Sequence, residues 1–205
     1  MNLNKMVVFA AWLLSLVVSA IAITVWVQCF NGEITLNNYS LFPLFGLLAF
    51  SLMWVHYIVG ALRRYFAVDK KHLKIYYKVT SVTVLLAILL HPGLFIYQLW
   101  RNGYGLPPES YKYYVASSAV WAVMLGTIAL WIFLAFETKR VFGKKQWWKL
   151  VECAQILAMV LIYIHALQLG GEIQTGWYKV VWVFYGLSFL AASTYIFIKD
   201  RGESK

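Results

Sequence analysis

The stretches KIYYKVTSVTVLLAILLHPGLFIYQLWR, residues 74–101, and WKLVECAQILAMVLIYIHALQLG, residues 148–170, decide how the chain is read. Each is an apolar run that starts at a basic, aromatic boundary. Lys70, Lys71 and Lys74 precede Ile75, and Lys144, Lys145, Trp147 and Trp148 precede Lys149. His91 stands 16 residues beyond Ile75 and His165 16 residues beyond Lys149, about 24 Å along a helix. Two imidazoles are therefore expected at one depth. An ionisable group inside a bilayer is costly unless it faces the bundle interior and has a partner. A hydrogen bond to a neighbouring helix would serve either histidine alone, whereas equal depth on two helices points to one ligand held between them.

The rest of the composition fits this reading. The chain has 205 residues, is 62% hydrophobic and 13% charged, and has a mean hydropathy of +0.68, far from the range of soluble domains. Six runs, 6–30, 40–65, 75–100, 113–137, 149–169 and 177–198, are long enough for a hydrocarbon core that takes about 20 helical residues to cross. The expected fold is an all-α integral membrane protein, a six-helix bundle forming one domain over 1–205. The connections are short, which leaves no room in these residues for a soluble catalytic or dinucleotide-binding domain.

The net charge of +10 could suit nucleic acid, but its distribution points to a membrane. With the N-terminus in the cytoplasm, all of the eighteen Lys and Arg except Arg101, Lys112 and Lys179 fall on the cytoplasmic side. This is the positive-inside pattern, and it predicts both termini inside, an inner face that meets anionic lipid, and no nucleic-acid partner. Trp100, Tyr104, Trp147, Trp148 and Trp177 stand near run ends, as interfacial anchors do. The first run continues to Val27, longer than a signal-peptide core, and is read as a retained helix. Cys29 and Cys153 fall at opposite ends of their helices, so no disulfide is expected between them.

The second run contains His56, seven residues before Arg63, at a different depth from His91 and His165. A hydrogen bond to a neighbouring helix is its simpler role, and a contact to a cofactor the sharper one. His72 lies in the charged loop 63–74 and is given no role. Pro92 and Gly93 follow His91, and a local bend is expected there. The fourth run, with Trp121, Met124, Gly126 and Trp131, reads as packing, and the tail 200–205 as short and mobile.

Taken together, these residues resemble a known family. Segment 63–92, with Arg63, Arg64, Asp69 and a helix reaching His91-Pro92, and segment 148–170, with Trp148, His165, Ala166 and Gly170, resemble the ferric reductase-like transmembrane domains, which include the NADPH oxidases. The resemblance implies haem held between the third and fifth helices by paired histidines, two haems being stacked across the membrane. His91 and His165 match the outer pair. Tyr77, 14 residues before His91, and Glu152, 13 before His165, stand where the inner ligands would be, which implies a single b haem. The chain is similar in this to the six-transmembrane epithelial antigen metalloreductases, with one outer haem and a flavin in the inner leaflet. By that similarity, FAD or FMN would meet Arg63, Arg64, Lys144, Lys145, Trp147 and Trp148, whose fork, point charges and rings suit phosphates and isoalloxazine.

The function expected is that of a b-type cytochrome subunit. It would pass electrons from a cytoplasmic flavin or NAD(P)H reductase through haem to ferric ion, oxygen, a quinone or a partner protein outside. It would be an oxidoreductase component without its own NAD(P)H domain. The haem subunit of a bacterial methionine-sulfoxide repair system is one version, and it implies a bacterial-type inner membrane. The alternative is a non-enzymatic relative that binds haem as a sensor or serves as a membrane assembly partner.

Overall fold

The computed structural model describes residues 2–30, 36–138, 142–145, 147–174 and 176–202. Among these there are six long helices and no strand: α1 Leu3–Gln28, α2 Asn38–Tyr65, α3 Lys74–Arg101, α4 Val120–Glu137, α5 Trp148–Leu169 and α6 Gly176–Gly202. All six, α3 and α4 with the short turns that lead into them, are long and apolar enough to cross a membrane. Local chemistry sets several of their starts. Asn37 accepts the Ser40 backbone N–H while the Ser40 hydroxyl accepts that of Asn37, a reciprocal cap at the start of α2. Before α3, Asp69 accepts the Lys71 N–H at 3.0 Å and starts the turn Lys70–Leu73.

Two boundaries differ from the sequence reading by several residues. The fourth helix begins at Val120 instead of residue 113, because two 3-10 turns, Glu109–Tyr113 and Ser117–Ala119, precede it. Serine hydroxyls compete for backbone groups and favour turns over helix interiors. The sixth helix continues past residue 198 to Gly202, so 200–202 are helical where a mobile tail was expected. Asp200 takes two hydrogen bonds of 2.7 Å from Arg64 there. Pro92 lies within α3, which stays helical through it.

The chain divides into two compact units, residues 1–95 with 175–205, and residues 96–174. In the first, α1 packs along α2. Its buried stripe is Ala11, Ser15, Val18, Ala22 and Val25, alternating four- and three-residue steps of mostly small side chains that let helices approach. The opposite face, with Phe9, Leu13, Leu16 and Ile23, is exposed and apolar. Helix α2 also packs on α6 through a ladder of rings, Phe50 on Trp182 at 4.4 Å, Trp54 on Tyr185 at 4.6 Å and Tyr57 on Phe189 at 4.7 Å. The Arg64–Asp200 pair continues that contact beyond the rings.

In the second unit α4 and α5 pack together along their length. Fully buried Ala122, Ala129 and Ala158 line them, and Gln155 donates to the Ile132 carbonyl at 3.0 Å. The segment between α3 and α4 turns at Gly103 and Gly105, whose φ of 82° and 78° is the region glycine adopts without a Cβ clash. Tyr104 and Tyr113 stack there at 4.7 Å, and Lys112 pairs with Glu109 at 3.1 Å.

Candidate functional site

His91 and His165 occupy the same register on their helices, each 17 residues past the first residue of α3 or α5. Their surroundings are built the same way. In the first unit, His91 Nδ1 lies 2.7 Å from the backbone oxygen of Phe42 on α2. A carbonyl can only accept, so Nδ1 carries the hydrogen and the lone pair is on Nε2. The ring lies over Gly46, one helical turn beyond Phe42. A Cβ there would come within 2.8 Å of both Cε1 and Nδ1. Phe42 tilts against the imidazole at 5.5 Å and against Phe95 at 5.0 Å.

In the second unit, His165 Nδ1 lies 2.8 Å from the backbone oxygen of Ala122 on α4. Gly126, again four residues further on, lies under that ring, and a Cβ on it would come within 2.8 Å of Nδ1 and 2.9 Å of Cε1. Both imidazoles are thus fixed as the Nδ1–H tautomer by a neighbouring helix. Metal-ligating histidines are commonly held in this way, since a donor bond from one nitrogen orients the ring and raises the basicity of the other.

His56 is held differently. Its Nε2 lies 2.6 Å from the Thr80 hydroxyl, which itself lies 2.8 Å from the Tyr76 carbonyl. The threonine has one hydrogen and gives it to the carbonyl, so it accepts from His56 Nε2–H. By the same reasoning Tyr76 donates to Ser15 at 3.0 Å, and Ser15 donates to the Ala11 carbonyl at 2.9 Å. This network ties α1, α2 and α3 together, with the edge of Trp12 on Tyr76 at 5.3 Å. It fixes His56 as the tautomer opposite to that of His91 and His165.

Tyr77 and Glu152 have local partners. Tyr77 meets the rings of His56 at 5.5 Å and Tyr76 at 5.2 Å, and Glu152 accepts from the Trp148 indole at 3.2 Å. The basic and aromatic residues assigned to a flavin lie in both units. Arg63 donates to the Val68 carbonyl at 3.5 Å. Arg64 is held by Asp200 and by the Gly60 carbonyl, which engages its guanidinium in joining α2 to α6. Lys144, Lys145 and Trp147 are exposed, whereas Trp148 is buried against Phe136 and Trp147. Lys139 and Arg140 of the same loop lie outside the described residues, as do Glu33 and Lys205. His72, Lys5, Phe9 and Trp12 line an open groove of about 500 Å³ at the start of α1.

Outside the six long helices three charged groups have shifted affinities for the proton. Asp69 is held below the usual carboxylate range by the Lys71 N–H and ammonium. Lys112 is raised by its bond to Glu109. Glu172, in the turn Gly171–Gln174 after α5, is raised by burial.

Among the described residues no group of three or more His, Cys, Asp and Glu side chains gathers as a metal cluster would. Axial ligation of a porphyrin iron needs only two. Gly46 and the carbonyls of Phe42 and Ala122 were not singled out in the sequence, and Gly126 was read as packing alone. The one signal available was a glycine in the helix preceding each histidine helix, which small residues of membrane helices readily hide. Compared with family models, curated proteins and solved structures, the chain matches none.

Proposed function

We propose that the chain is a b-type cytochrome subunit of a membrane, with His91 and His165 as the axial ligands of one haem. The observation that carries this reading is the repeated construction around the two histidines: same register, same tautomer, same partner type. The donor set fits the group. Two imidazoles that carry the hydrogen on Nδ1 and the lone pair on Nε2, both on apolar helices, are suited to bind the iron of an uncharged-ligand, low-spin b haem. When bound, the haem would supply a one-electron couple.

The chain's own residues have the remaining tasks. His91 and His165 would ligate through Nε2, while the Phe42 and Ala122 carbonyls hold their Nδ1–H. Tyr77 and Glu152, already engaged with His56, Tyr76 and Trp148, stand where the resembled family has its inner ligands, and this supports one haem over two. On the positive-inside orientation, exposed Lys144, Lys145 and Trp147 would meet a cytoplasmic reductase or its FAD or FMN. Arg64 is the poorer candidate for that contact, because Asp200 engages it. The outer acceptor would be ferric ion, oxygen, a quinone or a partner protein, and the membrane a bacterial-type inner membrane.

The test is the absorption spectrum of the purified chain before and after dithionite, with pyridine haemochrome quantitation. A reduced low-spin b spectrum and one haem per polypeptide are expected. A chain from haem-replete cells with no such spectrum would be the non-enzymatic assembly partner, and two haems per chain would refute the assignment of Tyr77 and Glu152. Lys144→Gln with Lys145→Gln should slow reduction by a flavin reductase at low ionic strength with haem content unchanged, an effect that added salt diminishes.

A further inference from the structure

Two glycines far apart in the chain have the same relation to two histidines. We propose that Gly46 and Gly126 are positioning residues: each opens a gap on its helix through which an imidazole reaches the carbonyl four residues earlier, and this holds His91 and His165 with the lone pair on Nε2. The inference rests on the haem reading for what Nε2 binds, but its geometry stands apart from it. A Cβ at either position would lie 2.8 Å from ring atoms, whereas carbon meets a non-bonded neighbour comfortably at about 3.5 Å. An alanine would therefore displace the ring by about 0.7 Å, enough to stretch bonds of 2.7 and 2.8 Å to the edge of hydrogen-bond range or beyond.

Crowding by an imidazole is specific to these places: a Cβ at Gly170 would be as tightly placed, but against the Ala166 carbonyl at 2.7 Å and the Ile173 side chain at 2.8 Å. Gly93 lies on α3 itself, two residues from His91, and a Cβ there would meet nothing within 4 Å. On α2, a Cβ at Gly60 would come no nearer than 3.4 Å to a side-chain end. A glycine present to allow general helix approach would be expected to face backbone or several side chains. Here the nearest atoms at both positions all belong to one imidazole. The relation also occurs once in each compact unit, so a single packing accident does not account for it.

The test uses the full chain with isotope-labelled histidine, as Gly46→Ala, Gly126→Ala and the control Gly93→Ala. Nitrogen and ring-carbon resonances report the tautomer without requiring haem. In the unsubstituted chain His91 and His165 should be Nδ1–H and His56 Nε2–H. Gly46→Ala should lose the His91 signature alone, Gly126→Ala that of His165 alone, and Gly93→Ala neither. On haem-loaded protein each of the first two should weaken haem retention by about 10- to 100-fold, the range for loss of an outer partner of a metal ligand, and shift the low-spin resonance spectrum. An Nε2–H tautomer at His91 or His165 in the unsubstituted chain overturns the proposal even if the variants fail to fold. So does a tautomer that survives the alanine. Tautomers that shift as expected in a chain that takes up no haem would leave the positioning role standing and refute the haem reading.

Discussion

The second half of α3 and α5 and the network around His56 hold the same residue type in opposite ways. His91 and His165 give their Nδ1–H to backbone carbonyls beside glycines. His56 gives its Nε2–H to a threonine hydroxyl that is already part of a chain of side-chain bonds across three helices. All three rings are partly buried and all three bond to a neighbouring helix, so burial and partnership do not separate a ligand from a structural histidine. The nitrogen that carries the hydrogen, and what crowds the ring, set His91 and His165 apart from His56. A backbone carbonyl is held rigidly by its helix and leaves the ring one orientation, while a hydroxyl partner makes the ring part of the packing.

The sharpest way to break this comparison is to remove the rings. His91→Ala and His165→Ala should each abolish the low-spin haem spectrum, and His56→Ala should leave it largely intact. Loss of haem in the His56 variant alone would show that the wrong pair has been chosen. A smaller effect should follow from Thr80→Val, which deprives part-buried His56 of its acceptor. About 1–3 kcal/mol of stability should be lost, measured by denaturant or thermal unfolding in detergent, with the spectrum unchanged. A shifted spectrum in that variant would join the two regions functionally. Arg64→Gln breaks the pair with Asp200, whose carboxylate side is half exposed, and should cost about 0.2–1 kcal/mol, less at high salt. A large loss of haem there would mean that the α2–α6 contact supports the cofactor directly.

The smallest expected effect is at Asp69, fully exposed before α3. Its folded carboxyl is held below the usual range, so its contribution is fully present above the ordinary aspartate value of about 3.9 and is lost as pH falls through the lower folded value. Unfolding temperatures of Asp69→Ala and the unsubstituted chain should differ slightly at pH 6 and converge in acid. A difference that grows on acidification would reverse the sign and discount the cap.

Much of the fold was legible because hydropathy acts locally. A run of about 20 apolar residues in apolar surroundings satisfies its backbone hydrogen bonds within itself as a helix, and the equal spacing of His91 and His165 from their basic boundaries survives in the equal register on α3 and α5. The ends were less legible. Residues 113–119 are apolar and aromatic enough to extend a run, yet form turns with Ser117 and Ser118, and residues 199–202 are polar enough to end one, yet stay helical where Arg64 holds Asp200. Neither outcome depends on hydropathy alone.

The sequence by itself determined six apolar helices, the basic boundaries and the position of each histidine along its helix, since all of these follow from spacing along one chain at a fixed rise per residue. Tertiary structure alone decided which nitrogen of each histidine carries the hydrogen, because that depends on an acceptor 49, 43 or 24 positions away. It also decided that Gly46 and Gly126 lie beneath rings while Gly93 faces nothing. The lack of a side chain has a consequence only where another helix fills the space.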